Sequence, residues 1–193
     1  MPKVIDHEQR RREIVEVAKR LIAEGGFEAA TMRSIVTAAG FANGALKHYF
    51  AGKDGIIAAT FESVLDETAR RMSELDPDVG PVAALRGFVE AAMPLEPDRI
   101  SSARVLLVLW GHSVTNPDLA RQYRDLLTIW RGELTRRIGA VWDRGEPPAA
   151  GLLADEIISV TIGANVASLM HPVGALVQRY RDYVEALMGR IAG

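Results

Sequence analysis

Thr31-Met32-Arg33-Ser34-Ile35-Val36-Thr37-Ala38-Ala39-Gly40-Phe41-Ala42-Asn43-Gly44-Ala45-Leu46-Lys47-His48-Tyr49-Phe50 is the stretch that decides how this chain folds. Thr31 offers a side-chain acceptor to the orphan amides of a helix start, and Met32, Ile35, Val36 and Ala39 follow at helical spacing. Gly40 ends that helix. A four-residue connection, Gly40 to Asn43, leads into another short helix through about Phe50. Asn43 is the better cap there, since the Ala42 methyl accepts nothing. Two short helices across a tight, glycine-containing turn form a helix-turn-helix. Ile35, Ala39, Phe41, Leu46 and Phe50 supply its apolar inner face, and Asn43, Lys47 and His48 its outer face. Gly44 and Ala45 are small enough to let backbone approach a duplex whose major groove is about 12 Å wide.

Helical periodicity continues on both sides. Upstream, Ile14, Ala18, Leu21 and Ile22 share one stripe, with Asp6 as cap and Gly25-Gly26 as stop. Downstream, Ile57, Phe61, Val64, Leu65, Thr68 and Met72 run along a helix from about Lys53 to Asp76-Pro77. Val82 to Met93 makes a further helix. The next, Ile100 to Val114, is apolar nearly all round between Val105 and Trp110, the pattern of a buried helix. Asn116 caps a long helix with Pro117 at its first position, broken at Gly145-Glu146-Pro147-Pro148. Two more helices span about 152–171 and 174–191. No alternating strand pattern and no internal repeat interrupts this series. The fold predicted is all-α with about nine helices: a three-helix head over residues 1–53 and a larger helical body over 54–193.

Charge follows the same division. The chain has 193 residues and a formal net charge of -2, which on its own argues against a nucleic-acid partner. Residues 1–55 nevertheless hold nine basic and seven acidic side chains, against 14 and 18 in the remainder. The head is therefore basic and the body acidic. An apolar content of 48% makes disorder the wrong expectation, and the absence of cysteine removes disulfides, thiolate metal sites and cysteine nucleophiles. The start of the chain lacks a secretory pattern, and no apolar run reaches the ~18 residues of a membrane span. A cytoplasmic protein without membrane association is the expectation. His7, His48, His112 and His171 have no metal-ligand spacing, and no phosphate loop, zinc-protease run or nucleophile elbow occurs, so neither an enzyme nor a cofactor is expected.

The stretch from Thr31 to Ile56, with the helix from Glu8 to Glu24 and Gly26-Phe27 before it, resembles the DNA-binding signature of the TetR family of transcriptional regulators. Val36, Phe41, Ala42 and Lys47 depart from that family's commonest residues. His48-Tyr49-Phe50, Lys53-Asp54-Gly55 and Ala59-Thr60 are most similar to its BetI-like branch, as are Trp110, Asn116 to Ala120 and Trp130-Arg131 in the body. The resemblance implies a homodimer that binds a palindromic operator in double-stranded DNA, usually as a repressor, until a small molecule binds the body. Arg33, Thr37, Asn43, Gly44, Ala45, Lys47, His48, Tyr49 and Lys53 are then the candidate DNA-binding residues. Asn43 caps the second helix or reads a base; both roles stay open.

In the body, Phe88, Trp110, Tyr123 and Trp130 are the rings available to a cationic amine effector through cation–π contact, with packing as the plainer role for each. Asn165 lies in an apolar helix, where its amide needs a partner in a pocket or across an interface. His112 fits a buried, hydrogen-bonded histidine. Gly163, Ala164, Ala167 and Ser168 are small enough for close helix approach between two copies. The competing reading is a helical ligand-binding or interaction protein whose head does not function on DNA.

Overall fold

The computed structural model describes residues 7–41, 44–74, 79–142 and 149–192. Eight α-helices and no strand occur among them: α1 His7–Gly25, α2 Met32–Ala39, α3 Lys53–Ser73, α4 Pro81–Ala92, α5 Pro97–Ser113, α6 Pro117–Val141, α7 Ala150–Met170 and α8 Val177–Ala192. Two 3₁₀ turns, Phe27–Ala29 and Ala45–His48, flank α2. The proposed stops and caps at Asp6, Asn43, Asp76-Pro77 and Gly145 to Pro148 lie outside the described residues.

Local chemistry sets the helix ends. The Thr31 hydroxyl accepts from the Ser34 amide at 3.0 Å while the Ser34 hydroxyl accepts from the Thr31 amide at 2.9 Å, a complete capping box. Gly40 closes α2 at φ 69°, a left-handed conformation that glycine adopts without a Cβ penalty. Asn116 accepts from the amides of Asp118 and Leu119, with Pro117 at the first helical position.

The second helix of the helix-turn-helix is shorter than its sequence pattern predicts. Only Ala45–His48 turn, as 3₁₀, behind Gly44 at φ 91°. Gly44 and Gly52 bracket a segment too short to nucleate a longer helix even though Ala45, Leu46 and Lys47 favour one, and Leu46 alone of the four residues is buried.

Two cores form. One joins Ile14, Ile22, Ile35, Leu46 and Phe50 of the head to Ile56, Phe61 and Val64 of α3, and continues to Val105 and Leu109 of α5 and Leu119 of α6. The other packs α4, α6, α7 and α8 around Leu85, Met93, Ile138, Ile157 and Leu187. The head is thus seated on the body by shared burial rather than by a bare linker.

Helix α5 departs from the all-round burial its sequence suggests. Val105 and Leu109 are buried, but Leu106, Leu107 and Val108 are half-buried and Trp110 is 38% exposed. Its second apolar face lines a cavity instead of a solid core. Helix α7 meets the length and composition of a membrane span, with a mean hydropathy of 1.4, yet only 28% of its most apolar window is buried within the chain.

Candidate DNA-binding and effector sites

The first site is the outer face of the head. Helix α1 holds the Ala45–His48 turn from behind: His7 Nε2 is 3.2 Å from the His48 carbonyl, and the Arg11 guanidinium donates to the Tyr49 carbonyl. Arg11 also lies 4.3 Å over the Phe50 ring, and Arg10 5.5 Å over Phe41. Tyr49 is wedged between His7 and Phe41, at ring separations of 4.7 and 6.0 Å. His7, Arg10 and Arg11 were not singled out from the sequence, although their spacing of three to four residues places His7 beside both arginines on one helical face.

These contacts leave a distinct set of groups outward. Arg33, Thr37, Gly44, Lys47 and His48 are exposed, and Ala45 is half-buried between them. Arg33 and Lys47 make no ion pair among the described residues. The Thr37 hydroxyl donates to the Arg33 carbonyl at 3.0 Å, a back-bond within α2. Asn43 lies outside the described residues. Lys53 differs from the others: its ammonium turns inward, 3.9 Å above the Phe27 ring and 3.5 Å from the Phe27 carbonyl.

The second site is in the body. Trp110, Tyr123, Trp130 and Asn165 come together with Leu106 and Thr161 around a small cavity of about 70 Å³ between α5, α6 and α7. The Trp110 and Tyr123 rings stack at 6.0 Å. Burial raises the Tyr123 phenol above its ordinary pKa, so it stays a neutral donor. The Asn165 amide donates to the Ala92 carbonyl at 3.1 Å and to the Thr161 carbonyl at 2.9 Å, so its partners lie within the chain. No charged side chain lines this cavity among the described residues.

Phe88 does not join that group. It is buried, faces a separate cleft of about 670 Å³ between α3, α4 and α6, and is covered by the Arg137 guanidinium at 4.8 Å. Trp130 borders both spaces. Glu62, Asp66, Asp125 and Glu133 line the cleft, a carboxylate set that periodicity alone reads as solvated surface. Hydrogen bonding from Arg136, reinforced by Arg137, holds the Glu133 carboxyl below its ordinary range. Among the described residues no group of three or more metal-ligating side chains occurs.

Comparison with known proteins finds matches to both parts of the chain. Residues 14–60 match the model of the bacterial regulatory proteins of the tetR family, and residues 81–192 match the C-terminal model of BetI-type transcriptional repressors. The chain is 41% identical over 75 residues to the HTH-type transcriptional regulator PksA of Bacillus subtilis, covering 39% of this chain and 37% of that one. It is 32% identical over 127 residues to the regulator BetI of Pseudomonas fluorescens, covering 64% of each. The chain therefore spans less than two thirds of these relatives. Among solved structures, a transcriptional regulator from Rhodococcus superposes with a TM-score of 0.84 at 23% identity, over 94% of this chain and 95% of that one. A regulator from Saccharomonospora viridis, solved in complex with choline, superposes at 0.83 with 22% identity, over 94% and 96%. These two share its fold. The chain belongs to the tetR family of bacterial regulatory proteins, transcriptional regulators rather than enzymes, and its C-terminal half is of the BetI repressor type.

Proposed function

We propose that this protein is a homodimeric repressor that binds a palindromic operator and is released by a small cationic amine. The observation that carries the reading is the head itself. Helix α1 clamps the Ala45–His48 turn while Arg33, Thr37, Gly44, Lys47 and His48 stay exposed. Cations held outward on a small element braced by α1 suit phosphate and base contact. Residues 1–53 form the DNA-reading unit, and residues 54–193 the effector-binding and dimerising unit. Lys53 serves as a link to Phe27 in the free protein and reaches phosphate only if that contact opens.

Dimerisation runs through α7 and α8. Along α7, Leu152, Gly163 and Met170 are exposed on a helix apolar enough to demand cover. A two-fold axis there presents two heads to half-sites about one helical turn apart. The effector seats its cationic head against Trp110, Tyr123 and Trp130, with Asn165 at the edge of the same cavity. The choline found in the Saccharomonospora viridis regulator supports an amine as the effector's class.

A mobility-shift titration on the DNA upstream of the protein's own gene tests the reading. The intact protein gives a shifted complex that choline dissolves, and Arg33→Ala with Lys47→Ala weakens binding about 100-fold. An unchanged affinity in the double variant contradicts it.

A further inference from the structure

Five hydroxyl side chains are buried among the described residues: Thr60, Thr68, Ser113, Thr161 and Ser168. Inside a helix such a group is usually satisfied by turning back onto a carbonyl of the preceding turn. Thr60 donates to the Ile56 carbonyl at 2.7 Å, Thr68 to the Val64 carbonyl at 3.1 Å and Ser113 to the Trp110 carbonyl at 2.7 Å. Thr161 and Ser168, both on α7, make no hydrogen bond among the described residues. Of these two, Thr161 lines the cavity bordered by Trp110, Tyr123 and Trp130, and it is only 3% exposed. Among the described residues the sealed side-chain atoms without a partner are Arg71 Nε, Arg99 Nε, Gln122 Oε1 and Tyr183 Oη. The Thr161 oxygen is not one of them, so it retains open surface, and the space it lines is this cavity. A hydroxyl taken out of water without a partner is costly, so one left open on a cavity marks where a ligand's polar atom belongs.

Asn165 presents a second open group one turn further along. Its Nδ2 donates to the Ala92 carbonyl at 3.1 Å and to the Thr161 carbonyl at 2.9 Å, which fixes the orientation of the amide. The Oδ1 is left as an acceptor with no partner among the described residues, and Asn165 lines the same cavity. Four residues apart on α7, the two side chains stand one above the other on one face. A hydroxyl that donates or accepts is thereby set beside an oxygen that only accepts. The ligand atom that complements both donates to Asn165 Oδ1 and accepts from the Thr161 hydroxyl. An alcohol oxygen does both. A carboxylate brings no proton for Oδ1 and meets no cation among the residues that line the cavity. A bare alkyl end leaves both groups unmatched.

We propose that Thr161 and Asn165 form a hydroxyl-reading subsite on the α7 wall of the cavity. The effector is then a small alcohol, and Thr161 is the residue that discriminates it from its deoxy and carboxylate analogues. This rests on the reading of the cavity as the effector site. The three rings hold the ligand's cationic end and the two polar groups its alcohol end.

Calorimetric titration of the full chain with choline, ethyltrimethylammonium, trimethylglycine and dimethylbutanol tests the subsite. Relative to choline, ethyltrimethylammonium lacks only the hydroxyl, trimethylglycine carries a carboxylate, and dimethylbutanol has carbon in place of nitrogen. Choline should bind at least about tenfold tighter than ethyltrimethylammonium, and trimethylglycine no tighter than the latter. Thr161→Val keeps the shape and removes the hydroxyl. It should abolish the preference for choline while holding ethyltrimethylammonium affinity within about twofold, which shows the cavity intact. Thr161→Ser should retain the preference. Equal binding of choline and ethyltrimethylammonium by the intact protein, tighter binding of trimethylglycine, or a preference that survives Thr161→Val overturns the subsite and leaves the amine effector standing. Binding of dimethylbutanol that Thr161→Val weakens, with no cation bound, removes the amine effector and upholds the subsite. Binding of none of the four overturns both.

Discussion

Head and body solve opposite problems with the same secondary structure. The head uses its cations on itself: Arg10 and Arg11 cover Phe41 and Phe50, His7 braces Tyr49, and Lys53 covers Phe27. What remains outward, Arg33 and Lys47 above all, is presented on a surface that these contacts brace from behind. The body does the reverse. It leaves a cavity at Trp110, a wide cleft at Phe88 and an apolar face along α7, and fastens its periphery with ion pairs such as Arg131–Asp155 at 2.8 Å and Arg190–Glu156 at 2.5 Å. A reader braced by its own side chains and a body with internal space suit a ligand-released DNA binder, because a shift in the body must become a change in head spacing.

Substitutions in each half should therefore fail in different ways. The largest effect is expected for Leu46→Ala. Leu46 is 1% exposed beneath the DNA-facing turn, and its loss should lower stability by about 3 kcal/mol and operator affinity with it, measured by denaturant unfolding and mobility shift. Gly163→Trp probes the exposed α7 face. A Cβ at Gly163 meets nothing within 4 Å in the single chain, so a side chain can start outward there without an intrachain clash at its first atom. Overpacking of about 1–3 kcal/mol should weaken the dimer ten- to hundredfold by sedimentation, with secondary structure intact; an unchanged dimer places the axis elsewhere.

Asn165→Ala should cost about 1–2 kcal/mol, since it leaves the Ala92 carbonyl without the Asn165 amide, and it should weaken amine binding without affecting operator contact. The smallest effect belongs to Glu133. Its carboxyl is depressed in the folded chain by Arg136 and Arg137, so its contribution is present above the ordinary value of 4.5 and disappears as pH falls through the folded value. Glu133→Gln should lower stability slightly at pH 7, flatten the acid limb of the unfolding profile, and make no difference once the pH lies below the folded value.

The comparison also explains what could be read in advance. Caps and stops are local, so Thr31, Gly40, Asn116 and Pro117 announce helix ends from the sequence, and the exposed faces of α2 and the 3₁₀ turn follow from them. Lys53 defeats such reasoning because its partner, Phe27, is 26 residues away and belongs to another element. The brevity of the Ala45–His48 turn has the same origin: apolar spacing predicts a face but not how many residues a glycine-flanked segment keeps helical. In the body, Trp110, Tyr123, Trp130 and Asn165 converge where α5, α6 and α7 pack, whereas Phe88 faces the separate cleft under Arg137. Periodicity places a residue on a helix face without naming the neighbour it meets. The carboxylates of the cleft escaped notice for that reason, although Glu62 and Asp66, four residues apart on α3, put like charges on one face.

The salt dependence of operator binding tests the central claim most directly. A dimer whose heads each place Arg33 and Lys47 at the DNA should show a steep linear fall of log affinity with log salt, and Lys47→Ala, removing one phosphate contact per head, should reduce that slope by about 2. A slope near zero in the intact protein, or one that Lys47→Ala leaves unchanged, would contradict the assignment of this face to DNA.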